Sequence, residues 1–265
     1  MPELPDVEMM KTYLDSTALH KEIRNVMTKD AIVLENLTPG KLRKHLIGQL
    51  FESTHRYGKY LFVKLSAGDY LVLHFGMTGD LLYYKVPEKE PEYELIRFEY
   101  KNDYRLAYVM PRKLGHIYLT ADVKTFVSQK DLGPDVCSPE FDRKTFHKLL
   151  ANRHGMIKSA LMDQSLMVGI GNVYSDEILF QAGVHPRQSV PNLKEETIDE
   201  IYDCLNEVLR TAIENKADPA NFPDDYLTPL RGQKKADCPR CGGQIRRVEV
   251  AGRSAYYCPA CQQKT

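Results

Sequence analysis

The sequence predicts an α+β chain in three successive parts: an antiparallel β-sandwich with flanking helices, a helical module, and a small hairpin anchored by cysteines. Three observations carry this. Short apolar runs follow one another closely between residues 58 and 119, separated by Gly, Asn-Asp and Pro turns. After Lys130-Asp-Leu-Gly-Pro-Asp135 the pattern becomes helical. Near the C-terminus, four of the six cysteines form two C-x2-C pairs.

Taken in order, a first helix is expected from about Asp6, with Val7, Met10 and Leu14 on one side. A second opens at Thr38-Pro39, a capping residue followed by Pro in the first turn, and stops near Gly48. Strands are expected at Lys59–Leu65, Asp69–Phe75, Leu81–Tyr84, Leu95–Tyr100, Arg105–Val109 and His116–Leu119. Strands this short and close favour an antiparallel sandwich or barrel. Ser138-Pro139 is read as the cap of a helix carrying Phe141, Thr145 and Leu149. Further helices are expected from Ile157 to about Leu166, from Asn172 to Gly183, and from Asn192 through Ala217. Residues 216–235 are the most loop-like stretch, and no internal repeat is apparent.

The chain has 36 basic and 36 acidic residues and a net charge of zero. That excludes a protein coated in positive charge, but not a local basic face that meets nucleic acid. From Asp224 onward the bases Arg231, Lys234, Lys235, Arg240, Arg246, Arg247, Arg253 and Lys264 outnumber the acids Asp224, Asp225, Asp237 and Glu249. The preceding stretch, Lys194 to Asp218, is acidic, so a neutral total hides a basic tail behind an acidic helix. No run approaches the roughly 18 apolar residues of a transmembrane helix. The start of the chain has neither the basic nor the apolar region of a secretory signal, and a cytoplasmic address is expected.

Cys238-Pro-Arg-Cys241 and Cys258-Pro-Ala-Cys261 fit the spacing of a tetrahedral four-thiolate zinc site. Gly242-Gly243 allows the sharp turn, and Gln244 to Tyr257 reads as a hairpin bent at Ala251-Gly252 with apolar Ile245, Val248, Val250 and Tyr257. Two disulfides are the alternative, but no export signal supports them. Such a site is closed, so the metal is structural and the hairpin presents Arg246, Arg247 and Arg253. Cys137 and Cys204 stand alone and are expected to be small buried apolar residues.

Two segments invite a chemical reading. In Gly169-Ile170-Gly171-Asn172 the glycines permit close backbone approach, and Asn172 is expected at a helix N-terminus, a natural phosphate site. Alone, a plain structural turn explains it as well. Pro2 follows the initiator Met, and a small second residue commonly allows Met removal, which would leave a terminal secondary amine. Such an amine titrates near pH 8, so a neutral fraction is available to form a Schiff base, with Glu3 beside it to move protons. On these residues alone, a Met-Pro start with Pro5 opening a helix is the plainer reading.

The ordered combination goes further. Pro2-Glu-Leu-Pro-Asp-Val-Glu8, Gly58-Lys59-Tyr60-Leu61, His74-Phe-Gly-Met77-Thr-Gly79 and Pro111-Arg112-Lys113-Leu114-Gly115 occur in sequence. Ile157-Lys158, Asp163-Gln164, Val168-Gly-Ile-Gly-Asn-Val-Tyr-Ser-Asp-Glu-Ile-Leu179 and the cysteine hairpin with Arg253 follow. Over almost its whole length the chain resembles the family of formamidopyrimidine-DNA glycosylases and endonuclease VIII.

The resemblance implies a bifunctional base-excision enzyme, a DNA glycosylase with abasic-site lyase activity and one structural Zn²⁺. It places the attacking amine at Pro2, the proton-transferring carboxylate at Glu3 and a strand lysine that contacts phosphate and assists β-elimination at Lys59. Further DNA contacts fall on His74, Asn172 and Arg253, the last also linked to δ-elimination, and on Lys158 and Arg153. Met77, Arg112 and Leu114 match the residues that fill the space vacated when the damaged nucleotide leaves the stack. The implied fold is a β-sandwich over residues 1–130, a linker at 131–136, a helix–two-turn–helix module over 137–230 and a zinc ribbon over 231–265. Damaged duplex DNA would lie in the cleft between the first two, bound by a monomer.

Four departures bear on the substrate. Leu114 replaces the usual Phe, and Met110 stands where Asp is common before Pro111. A His common in the loop before Arg97 is absent from Pro91-Glu-Tyr-Glu94. Ala217-Asp-Pro-Ala-Asn-Phe-Pro-Asp-Asp225 replaces the Gly- and Thr-rich run that leads to the loop capping 8-oxoguanine. Leu4 and the Pro-Arg-Lys-Leu-Gly run favour excision of oxidised purines, 8-oxoguanine and formamidopyrimidines. An endonuclease VIII-like preference for oxidised pyrimidines is the rival. A non-catalytic damage-binding protein is the third reading, since a retained Met1 would make the Pro2 nitrogen an amide.

Overall fold

The structure is a computed structural model that describes residues 2–264. Met1, whose removal governs the chemistry of Pro2, lies outside the described residues. The chain divides after Asp131 into two compact units.

The first unit holds two four-stranded antiparallel sheets. One has the order β1 (Ile23–Thr28), β6 (Glu94–Tyr100), β7 (Tyr104–Val109), β5 (Asp80–Lys85). The other runs β2 (Phe51–Tyr57), β3 (Tyr60–Leu65), β4 (Tyr70–His74), β8 (His116–Thr120). Their apolar faces, with Val7 and Leu14 of α1 (Leu4–Thr17) and Leu42 and Leu46 of α2 (Pro39–Leu46), form one core that contains Phe51, Leu61, Leu73, Phe98 and Tyr108. The run Leu61-Phe62-Val63 is continuous rather than alternating because β3 is covered on both faces. Leu61 and Val63 enter the core, while Phe62, Val72 and Tyr118 pack beneath Phe126 of α3 (Val123–Gln129).

Three elements of this unit differ from expectation. The sequence reading misses β1, β2 and α3. Both strands lie at sheet edges, where only one neighbour must be matched; β2 (FESTHRY) buries little beyond Phe51 and so lacks the apolar alternation that marks a strand. Helix α3 spans only two turns. Lys59 differs too: it lies not in a strand but in the two-residue Gly58-Lys59 turn between β2 and β3. Gly58 has φ +55°, which a tight hairpin turn requires at its first central position and which a side chain would resist.

The second unit contains α4 (Arg143–Leu150), α5 (Ile157–Met162), α6 (Asn172–Gln181), α7 (Glu195–Glu214) and the hairpin β9 (Arg246–Val250), β10 (Arg253–Tyr257). Asp142, rather than Ser138, caps α4, its carboxylate accepting from the Thr145 N–H at 2.7 Å. Helix α7 is amphipathic, with Ile201, Leu205, Val208, Leu209 and Ala212 inside and its acidic residues outward. Residues 174–180 of α6 are buried all round, so α6 is the core helix of the unit. The stretch expected to be loop-like is instead ordered by two short 3-10 turns, Pro219–Asn221 and Thr228–Leu230. Phe222 and Tyr226 between them are buried in edge-to-face contact at 5.7 Å. The lone cysteines also differ from expectation: Cys137 is exposed and Cys204 half-buried.

Candidate nucleic-acid interface

In the first unit the chemistry-bearing residues gather around the start of α1. Glu3 is fully buried at the N-cap position, and Pro2 before it is half-buried. The Glu3 backbone N–H donates to Asp6 Oδ2 at 2.8 Å in a reciprocal capping box, which pins the chain start to the first helical turn. One turn further, Glu8 accepts from Arg56 Nε at 2.8 Å, and Arg56 Nη1 donates to the Gly58 carbonyl at 3.2 Å. The helix that carries Pro2 and Glu3 therefore also holds the turn that carries Lys59, itself 9% exposed.

Asp6 beside this site has its pKa raised to about 6, mainly by burial and further by the negative charge of Glu3, while the Glu3 N–H opposes the shift. An aspartate raised in the folded state binds more protons there than when unfolded. Its contribution to stability is therefore greatest at low pH and declines as pH rises from about 4 through about 6. Asp6→Asn is expected to remove that part of the pH dependence, seen as a flatter melting-temperature profile across this window.

His74, at the end of β4, lies 4.8 Å from the Tyr60 ring and 5.8 Å from the His116 ring. Its pKa is lowered to about 4 by burial first, then by His116, Lys59 and Lys130. It is thus neutral at pH 7 and offers a hydrogen bond without a charge. The sequence reading missed His116, which the register sets directly opposite His74 and whose Nδ1 lies 2.6 Å from Glu35 Oε1. Histidines at the ends of two expected strands were the available signal, but strand pairing cannot be read from one sequence.

Met77, Arg112 and Leu114 come together because two loops interlock. The turn after β4 packs on the loop between β7 and β8, with the Arg112 N–H donating to Thr78 Oγ1 at 3.2 Å. A Cβ on Gly76, which has φ +54°, would fall 2.3 Å from the Leu114 carbonyl oxygen. Met77 is half-buried, whereas Arg112 is exposed and Leu114 is 47% exposed, so all three offer surface to an incoming ligand. Gly76→Ala is expected to drive the loops apart at a cost on the order of 1–3 kcal/mol. Thermal melting reads the cost, and affinity for duplex carrying an abasic site should fall with it.

In the second unit Asn172 is the first residue of α6, with Gly171 at the N-cap position. Its Oδ1 is buried without a protein partner among the described residues, at a helix end whose N–H groups and dipole favour an anion. Arg253 opens β10 and is exposed next to the Ala251-Gly252 bend. Arg153 is half-buried and ion-paired with Asp163. Lys158 departs from the expectation of a DNA contact: it is 0% exposed, and Nζ donates to Asp176 Oδ1 (2.7 Å), Ser175 Oγ (2.7 Å) and the Asn172 carbonyl (3.1 Å). Its charge is held inside the fold. Asp176 and Arg231 complete this network; the sequence reading gave them no role of their own, counting Arg231 in the basic tail and Asp176 in the glycine-turn motif, because the pairing of distant charges is set by the fold.

Sγ atoms of Cys238, Cys241, Cys258 and Cys261 all lie within 4.8 Å of one another. The separations of 3.8 Å (Cys238–Cys261) and 3.6 Å (Cys241–Cys258) match the edge of a tetrahedron with Zn–S bonds of about 2.3 Å. Among the described residues, which include all six cysteines, no disulfide is formed. These four thiolates hold one structural zinc. The cysteine knuckles rest on Phe180 of α6 and on Leu227, which ties the hairpin to the helical part of this unit.

Three family models match the chain: the formamidopyrimidine-DNA glycosylase N-terminal domain over residues 1–117, its H2TH domain over 132–223, and the zinc finger found in FPG and IleRS over 238–264. Formamidopyrimidine-DNA glycosylase of Exiguobacterium sp. is 33% identical, with 100% of both chains covered. That of Streptococcus pyogenes serotype M3 is 34% identical, over 100% of this chain and 99% of the relative. The solved Lactococcus lactis enzyme non-covalently bound to DNA containing an abasic site superposes with a TM-score of 0.90 at 28% identity, covering 99% of this chain and 100% of that one. The Lactococcus lactis enzyme with DNA containing FAPY-dG gives a TM-score of 0.89 at 28% identity and the same coverage. A β-sandwich, a helical module and a zinc finger thus follow one another along the chain where the three family models match, and the chain belongs to the formamidopyrimidine-DNA glycosylase family of DNA-repair enzymes.

Proposed function

We propose that this glycosylase excises oxidised purines, 8-oxoguanine and formamidopyrimidines, through a Schiff base on Pro2 and then cuts the strand by β- and δ-elimination. The observation that carries the reading is the arrangement at the chain start. Buried Glu3 adjoins Pro2, and the same helix grips the Lys59 turn through Glu8 and Arg56. With Met1 removed, the Pro2 nitrogen adds to C1′ as the bond to the base breaks, and the departing base takes a proton. Loss of the nitrogen proton and opening of the sugar ring, with O4′ protonated, leave an iminium. Glu3 is placed to shuttle these protons. Removal of a C2′ proton expels the 3′ phosphate, and a second elimination expels the 5′ phosphate. Lys59 and Arg253 supply positive charge to the phosphates in these steps, and His74 and Asn172 hold the backbone by hydrogen bonds. The enzyme acts as a monomer in the cytoplasm.

Borohydride trapping on an abasic duplex tests the reading, comparing the natural chain with Pro2→Gly and with an N-terminally blocked form. A covalent adduct mapped to residue 2 and lost on blocking is expected. No adduct from a chain shown by intact mass to lack Met1, together with tight binding to damaged duplex, would instead favour the non-catalytic binder.

One observation favours the oxidised-pyrimidine reading. Residues 217–225, which replace the family's Gly- and Thr-rich run, are packed down by Phe222 against the adjoining Tyr226. A segment anchored in this way is poorly suited to fold over a flipped purine. Excision rates on duplexes carrying 8-oxoguanine or thymine glycol separate the two substrates.

A further inference from the structure

Within the second unit a single buried carboxylate joins three elements. Asp176 of α6 is 1% exposed. Its Oδ1 accepts from Lys158 Nζ of α5 at 2.7 Å. Its Oδ2 accepts from Arg231 Nε (3.0 Å) and Nη2 (2.8 Å), and from the backbone N–H of Tyr256 in β10 (3.1 Å). The two cations return to one point, since Lys158 Nζ and Arg231 Nη2 both donate to the Asn172 carbonyl, at 3.1 and 3.2 Å. The Arg231 guanidinium also stacks 5.0 Å over the Tyr256 ring.

Taking these charges out of water carries a desolvation cost of several kcal/mol per ion, and an apolar cluster of similar volume would serve stability as well or better. An apolar residue at position 176 could not, however, receive the Tyr256 N–H or orient both cations on the Asn172 carbonyl. The network therefore defines register: it sets the first residue of α6 against the strand that begins at Arg253.

We infer that Asp176 is a positioning residue that locks Asn172 and Arg253 into one preset pair, so that these two DNA contacts act as a unit. The inference rests on the proposed role of both residues at DNA. Asp176 itself touches no substrate. Its effect passes through the Asn172 carbonyl on one side and the β10 backbone on the other.

The test uses the zinc-loaded full chain and a duplex carrying a reduced, uncleavable abasic site, with affinities of Asp176→Asn, Asn172→Ala, Arg253→Ala and the double variants. Asp176→Asn is expected to keep one zinc per chain and to bind about tenfold more weakly. Adding Arg253→Ala to it should cost less than about twofold more, although Arg253→Ala alone costs about tenfold, because coupled residues do not add. On a cleavable abasic duplex, Asp176→Asn should shift the products from δ- toward β-elimination. A residue important only for folding would lower zinc content and leave the penalties multiplicative. Where Asp176→Asn fails to fold, Arg231→Lys keeps the charge, removes the two-pronged contact and should show the same coupling.

Binding by Asp176→Asn within about twofold of wild type, or penalties that multiply in full, would overturn the inference. If Asn172→Ala and Arg253→Ala alone bind as wild type does, the assignment of both as DNA contacts fails, and the inference falls with it.

Discussion

Glu3→Gln is expected to slow base release by about 10²–10⁴-fold while leaving affinity for damaged duplex nearly unchanged. Glutamine matches glutamate in shape, and its carbonyl oxygen can still accept at the helix N-terminus, so the capping geometry of Glu3 and Asp6 survives. What disappears is a group able to give and take a proton beside Pro2. Cleavage of a preformed abasic site should fall much less, since no base then needs protonation. Single-turnover kinetics on a lesion duplex and on an abasic duplex measure both effects. Base release within about tenfold of wild type would assign the proton transfer to another group.

Zinc removal should abolish DNA binding without changing the reactivity of the Pro2 amine. The apolar cluster around the cysteines comprises Phe180, Leu227, Ile245 and Tyr256, a core too small to hold the shape of the hairpin without the metal. Structural zinc in modules of this size contributes an apparent 10–16 kcal/mol or so at pH 7, well above the stability of a small domain. Stripping the metal therefore melts the hairpin, releases the Tyr256 N–H from Asp176 and takes Arg253 out of place. Zinc content, anisotropy of labelled duplex and strand cleavage, followed through chelation and restoration of zinc, are the readouts. Full lyase activity in zinc-free protein would contradict this account.

The candidate site was unevenly legible. The cysteine spacing pointed to the metal because four soft ligands at fixed offsets have few other uses. Pro2 and Glu3 could be named from their chemistry, but that reading overtook the plainer one only through their place in an ordered series of motifs, since Met-Pro is a common start. Lys158 stood in that series too, yet its ammonium is buried on Asp176, and whether a lysine faces water or a carboxylate depends on a partner 18 residues away. His116 gained its place from strand register, and the interlock of Gly76 with Leu114 came from two loops meeting across the fold.

By itself, then, the sequence determined what depends on local chemistry. The apolar runs gave the interior strands, the 3.6-residue spacing gave α7, and the two C-x2-C pairs gave the zinc site. Tertiary structure alone decided the edge strands β1 and β2, the burial of Lys158, the neutral His74, and the joining of Asn172 to β10 through Asp176. Each of these depends on groups far apart in the chain. A polar strand becomes a strand only when a neighbour offers its hydrogen bonds, and a charge is buried only where an opposite charge meets it.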